Sequence, residues 1–173
     1  MINIFKNAKE VNRAYASIDG KTISGSAEFI EYNTGVFSFV KVSVKFKIIS
    51  GKIIVGEYGC HIHEKGICEA PDFKSAGGHF DPGPSGNSDP DVNHPYHMGD
   101  LPNVAVDKSG EGQMETFTTR FTLSKGPLCI FQNGGTSIMI HAHKDSYHGG
   151  EHGSGASGGP RAACGVIREI NLA

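Results

Sequence analysis

Residues 36–49 read VFSFVKVSVKFKII, and their order decides the fold class. From Val40 onward, Val42, Val44, Phe46 and Ile48 alternate with Lys41, Ser43, Lys45 and Lys47. Successive side chains of an extended strand point to opposite faces, so this stretch has one dry face and one wet, cationic face. Weaker alternation at 12–18, 22–31, 52–58 and 113–123 is bounded by Asp19-Gly20, Asn33-Thr34-Gly35 and Ser50-Gly51. These read as further strands joined in antiparallel hairpins. Short apolar runs at 103–106, 128–132, 136–141 and 164–171 bring the expected count to about eight or nine strands. That number suits an all-β barrel or sandwich.

Composition points the same way. A chain of 173 residues suits one domain, 1–173, which buries about 70% of the surface its unfolded form exposes. Its 24 glycines, 8 prolines and lack of tryptophan, with no sustained 3.6-residue apolar period, favour short strands and long loops over helix. A net charge of −2 with scattered basic residues lacks the electrostatic footprint of a nucleic-acid binder, so no nucleic-acid partner is expected. No apolar stretch approaches the ~20 residues that span a bilayer, so no membrane partner is expected either. The start, MINIFKNAKEVNRAYA, carries no signal-type apolar run. The expected location is the cytoplasm, with an extracellular or periplasmic one as the alternative if a leader has been removed.

Two stretches, 64–102 and 142–163, break the strand pattern and are rich in Gly, Pro, Asp, Ser and His. Loops this long in a compact domain are functional or disordered, and metal-ligand side chains favour function. The nine histidines fall in two windows, 61–97 and 141–152. On a strand, His61 and His63 share a face, so two imidazoles reach one ion without distortion. With His79, His94, His97, Asp100 and His141 the set grows to six histidines and a carboxylate. Imidazoles without clustered thiolates favour copper or zinc, and six exceed what one four-coordinate ion uses. Two ions are therefore expected. The four cysteines, Cys60, Cys68, Cys129 and Cys164, lie too far apart for a C-x-x-C site and leave open one disulfide with two free thiols.

Five blocks resemble the copper/zinc superoxide dismutase family, in family order. They are Gly59-Cys60-His61-Ile62-His63-Glu64-Lys65-Gly66, Ser75-Ala76-Gly77-Gly78-His79-Phe80-Asp81-Pro82, His97-Met98-Gly99-Asp100-Leu101-Pro102-Asn103, Ile140-His141 and Gly159-Pro160-Arg161-Ala162-Ala163-Cys164-Gly165-Val166-Ile167. The short Cys68-Glu69-Ala70-Pro71 segment is similar to bacterial members. The resemblance implies an immunoglobulin-like Greek-key barrel with two functional loops, a homodimer, and an enzyme that disproportionates superoxide with a redox-cycling copper beside a structural zinc. It implies His61, His63, His79 and His141 on copper and His79, His97 and Asp100 on zinc, with His79 bridging and a catalytic participant. The second zinc histidine usually lies about eight residues after the bridge, where this chain has Asn87. His94 is therefore taken as the missing ligand, with Asp89 or Asp91 as alternatives.

The resemblance further implies that Asp145 hydrogen-bonds a copper histidine and a zinc histidine together, that Arg161 guides the anion, and that Cys68 pairs with Cys164. Cys60 and Cys129 read as buried thiols, and His143, His148 and His152 as loop histidines. Two rival classes are a copper-delivery protein and a zinc hydrolase. The first needs an exposed thiolate pair and the second an H-E-x-x-H type arrangement, and neither motif occurs.

Overall fold

The computed structural model describes residues 7–52, 54–83 and 86–171. The alternating stretch forms a strand at Ser38–Ile48, with Val40, Val42, Val44 and Phe46 buried and Lys45 and Lys47 exposed. Burying a side chain of this size contributes about 1.5–3 kcal/mol, and the alternation aims every such contribution at one side of the sheet. In chain order the strands are β1 (Lys9–Gly20), β2 (Ile23–Asn33), β3 (Ser38–Ile48), β4 (Gly56–Tyr58), β5 (Cys60–His63), β6 (Val104–Val106), β7 (Glu111–Thr118), β8 (Ser137–His141), β9 (Arg161–Val166) and β10 (Arg168–Ile170). Helix is confined, among the described residues, to single 3₁₀ turns at Lys74–Ala76 and Gln132–Gly134.

Neighbouring strands run β4-β6-β7-β3-β2-β1-β9-β8-β5, all antiparallel, and β10 pairs with β1. The two ends of this path, β4 and β5, are separated in the chain by Gly59 alone. The sheet's edges are thus covalent neighbours, so it curls into a nearly closed barrel whose β3–β7, β1–β9 and β5–β8 pairings are Greek-key crossings. Ile18, Phe29, Ile62, Leu123, Ile138 and Ile140 fill the interior.

Three expected segments differ in the structure. Residues 128–132 are not a strand. The chain turns sharply there, with Cys129 N–H bonding Gly126 O and Ile130 N–H bonding Thr122 O, before the 3₁₀ turn at Gln132. Ile130 is wholly buried, so the apolar run marks burial without extension. Of 52–58 only Gly56–Tyr58 is strand, and residue 53 lies outside the described residues. The 164–171 run begins earlier, at Arg161, and divides at Ile167, whose buried side chain and bond to Thr136 O turn the chain from β8 toward β1. The second long loop therefore ends at residue 160. Buried Glu31 was not singled out by the sequence. Its Oε2 accepts bonds from Leu123 N (3.1 Å), Ser124 N (2.7 Å) and Ser124 Oγ (2.8 Å), tying the segment after β7 to β2.

Candidate metal centre

All four residues of β5 are buried, but on two different sides. Cys60 and Ile62 enter the barrel core, while His61 and His63 face outward beneath the long loops. β8 lies antiparallel to β5, with His61 opposite Met139 and His63 opposite Ser137. His141 has the same parity as Met139, so it joins the histidine face. His79 reaches the face from the first loop, pairing with His63 through a single antiparallel bridge, and Asp100 pairs with His61 in the same way.

One ligand atom each from His61, His63, His79 and His141 lies within 4.8 Å of the others. His61 Nδ1 and the Nε2 atoms of His63, His79 and His141 are buried and have no hydrogen-bond partner. Buried polar atoms left unpaired cost free energy, so four of them converging mark a place for a cation. The other nitrogen of each ring is held. His61 Nε2 meets Asp145 Oδ2 at 2.9 Å, His63 Nδ1 meets Gly77 O at 3.0 Å, and His141 Nδ1 meets Gly159 O at 2.9 Å. A carbonyl only accepts, so His63 and His141 carry their protons on Nδ1 and aim lone pairs from Nε2. Gly77 and Gly159 supply these carbonyls at φ +74° and +65°, a conformation that L side chains rarely adopt.

A second group surrounds Asp100. Its Oδ1 meets His79 Nδ1 at 2.8 Å, and its Oδ2 meets His97 Nδ1 at 3.0 Å and His94 Nδ1 at 3.2 Å. His79 thus turns one nitrogen to each group. His61, His79, His94 and Asp100 also offer ligand atoms within 4.8 Å, although His61 Nε2 is already engaged by Asp145. Asp145 Oδ1 meets His94 Nε2 at 2.7 Å, so this one carboxylate links His61 to His94. Asn103 grips the same backbone from both sides: its Nδ2 donates to Asp145 O (3.0 Å) and its Oδ1 accepts from Asp145 N (2.8 Å).

The alternatives at the second group point elsewhere. Asn87 Oδ1 accepts from Asp89 N, Asp91 accepts from Gly155 N, Ser157 N and Ser157 Oγ, and Asp89 Oδ2 contacts His152. His143 and His148 are exposed. Burial, with added repulsion from charged neighbours, holds His63 and His141 well below the ordinary histidine range. The same causes push His79 down to about 3. Burial also disfavours charge on His94, but hydrogen bonds to Asp100 and Asp145 outweigh it and raise that ring to about 9.

Arg161 opens β9, opposite His141 in β8. Its guanidinium donates to Phe73 O (2.6 Å) and Gly77 O (2.5 Å), and both carbonyls belong to the first loop. Cys68 of that loop is disulfide-bonded to Cys164 of β9. Closing a loop with a sequence separation of 96 stabilises by ~4–5 kcal/mol in the chain-entropy model. Cys60 and Cys129 are buried free thiols.

Residues 23–167 match the family model for copper/zinc superoxide dismutase (SODC). The chain belongs to the copper/zinc superoxide dismutase family. It is 38% identical over 151 residues to superoxide dismutase [Cu-Zn] 2 of Aquifex aeolicus, covering 87% of this chain and 81% of that one. It is also 38% identical over 148 residues to the superoxide dismutase [Cu-Zn] of Deinococcus radiodurans, covering 80% and 78%. The crystal structure of the clock protein EA4 is similar in fold, with a TM-score of 0.69 at 31% identity over 90% of this chain and 92% of that one. As a copper/zinc superoxide dismutase this chain is an oxidoreductase that disproportionates superoxide, and its metals are copper and zinc. The converging unpaired nitrogens and the imidazole ring around Asp100 fit both ions.

Sequence reasoning missed Gly77, Gly159 and Asn103 as partners of the site. Gly77 and Asn103 lie inside the blocks that carry the family resemblance, and Gly159 opens the last of them. Each flanks a recognised residue, and that adjacency was the available signal.

Proposed function

We propose that the chain holds copper through His61 Nδ1 and the Nε2 atoms of His63, His79 and His141, and zinc through His79, His94, His97 and Asp100. The observation that carries this reading is the convergence of four buried, unpartnered imidazole nitrogens whose opposite ring atoms are all tied. Bound there, copper would supply the one-electron chemistry that interconverts two superoxide anions with oxygen and peroxide, and redox-inert zinc would order its surroundings. His79 serves both groups, and its Nε2 would hold a proton for the departing peroxide only while that nitrogen is not bound to copper. Burial makes such a proton easy to surrender. Asp145 fixes His61 and His94 in one geometry, as carboxylates behind metal-bound imidazoles do.

Arg161 draws the anion in. Its guanidinium is half-buried, cross-linked to two carbonyls and adjacent to His141, so its charge sits at a fixed point beside the copper ligands. Metal analysis with a superoxide assay on the loaded protein tests the whole reading, and a copper-replete protein that leaves superoxide untouched overturns it. For Arg161, the rate should fall in the order wild type, Arg161→Lys, Arg161→Gln, Arg161→Glu with metal content unchanged, and equal losses across the series would assign it a structural role.

The protein acts as a homodimer, a reading supported by the family and by apolar side chains left exposed, among them Phe117 and Tyr147 beside a cleft of about 390 Å³. Sedimentation at micromolar concentration tests it. Among the described residues no helix is long and apolar enough to cross a membrane. The Cys68–Cys164 bridge supports an oxidising location, periplasmic or extracellular, over the cytoplasm.

A further inference from the structure

A cleft of about 830 Å³ leads from the surface to His141 and Arg161. Its walls include three carboxylates, Asp72, Asp89 and Asp91, which is unexpected at the entrance to a site that must attract an anion. One of the three is paired with a cation of its own loop, and another is held by three hydrogen bonds from the second loop. Asp72 pairs with Lys74 at 3.3 Å, and Asp91 accepts bonds from Gly155 N (3.0 Å), Ser157 N (3.0 Å) and Ser157 Oγ (3.1 Å). Asp89 has backbone donors in its own loop but, among the described residues, no cation partner there. Its Oδ1 takes Asp91 N (3.0 Å) and Val92 N (3.2 Å), and its Oδ2 faces His152 Nδ1, which arrives from the second long loop. His152 is 85% exposed, far from any ligand role, whereas Asp89 is only 20% exposed.

We infer that His152 is a charge-masking residue of the copper cleft: as imidazolium it cancels the charge of Asp89, which would otherwise repel superoxide on its way to Arg161. The inference rests on the reading that the anion enters beside Arg161. The groups that face His152 are Asp89 and, behind it, Asp91, and their carboxylates raise its pKa above the ordinary histidine value, Asp89 by its hydrogen bond first. His152 is thus charged near pH 6, below the ordinary value of about 6.5. In water-like surroundings a unit charge uncovered in the wall of the cleft changes capture by about twofold at low salt, the size of a Coulomb interaction of about 0.4 kcal/mol. His152 acts only through Asp89 and touches no reacting atom, so it is a positioning residue for charge.

The test is kcat/KM for superoxide in the copper- and zinc-loaded protein near pH 6 at low ionic strength. His152→Gln keeps a hydrogen-bonding side chain without the charge and should lose about twofold, whereas His152→Lys keeps the charge and should lose nothing. The double variant Asp89→Asn/His152→Gln carries the same local charge as the parent and should recover the parent rate, and near 1 M salt, where screening shortens to about 3 Å, all variants should converge. An equal loss in His152→Lys, or a loss in His152→Gln that Asp89→Asn does not reverse or that persists at high salt, would make the pair a mechanical strap between the loops and overturn the inference. Arg161→Glu separates the two levels. If it slows the enzyme while the His152 series is flat, the inference alone falls. If Arg161→Glu has no effect, the anion does not pass this cleft and the underlying reading falls with it.

Discussion

The barrel wall of β1, β2, β3 and β7 and the pair of long loops that cover β5 and β8 are built on opposite principles. The wall is held by repeated pairing of neighbours, unbroken between β2 and β3 from Ile23–Ile48 to Asn33–Ser38 and shifted between β1 and β2 at Glu10/Asn12, with apolar side chains closing the inner face. The loops have almost no repeating structure. They are held by single polar ties that cross long sequence distances: Asp145 to His61 and His94, Asn103 to Asp145, Asp91 to Ser157, Arg161 to Phe73 and Gly77, and the Cys68–Cys164 bridge. A wall built from many small equivalent contributions tolerates the loss of one. A loop pair built from a few unlike ties, with unpaired buried nitrogens at its centre, depends on each of them.

The largest expected effect breaks the two regions apart by metal. Removing copper should abolish superoxide consumption, and removing zinc should raise amide exchange in residues 64–102 while β1–β3 stay protected. Exchange that rises equally in wall and loops would show that the wall, too, depends on zinc.

A core truncation should do the reverse. Phe29 is fully buried in the wall, so Phe29→Ala should lower stability by about 3–5 kcal/mol. Metal stoichiometry of the remaining folded protein should not change, and urea unfolding with metal analysis measures both. Loss of zinc from folded Phe29→Ala protein would mean that the site senses wall packing. Smaller and confined to the loops, His94→Ala should weaken zinc binding by an order of magnitude or more, whereas His148→Ala should not. Equal zinc affinity in His94→Ala and the parent would remove His94 from the site.

The smallest effect is a pH response of the metal-free protein. His63, His79 and His141 have folded pKa values below the unfolded value of about 6.5, so the unfolded chain binds more protons and stability falls as pH drops below that value. Asp100 and Asp145, depressed by their histidine partners against the opposing effect of burial, add to the loss once pH nears the ordinary carboxylate range. His94 has the opposite sign. Its value is raised to about 9, so its contribution is complete below about 6.5 and disappears as pH rises through 9. The thermal midpoint of metal-free protein should therefore peak near the unfolded value of about 6.5, where the first loss ends and the second begins. A midpoint that climbs steadily toward pH 4 would show that the histidines are not held neutral by burial.

What was legible in the sequence was whatever repeats or sits in a short block. Alternation at 40–48 determined a strand and its dry face, because side-chain direction on a strand depends only on parity. The same parity placed His61 with His63. The blocks around His79, His97, Asp100 and Arg161 carried the family resemblance, because each is a short run whose residue types and order can be read without knowing the fold.

Tertiary structure alone decided the rest. The 128–132 run looked like a strand because apolarity reports burial, and only the turn at Gly126 showed that Cys129 and Ile130 enter the core without extension. Whether His94, Asp89 or Asp91 faces the second group could not be read from their order, since all lie within six residues in a loop with no period. Their destinations were settled by partners from the second loop, Asp145 for His94, His152 for Asp89 and Ser157 for Asp91, some fifty to seventy residues away. Contacts of that range leave no trace in local spacing, because they are fixed by the path of the barrel and not by the neighbours of the residues that make them.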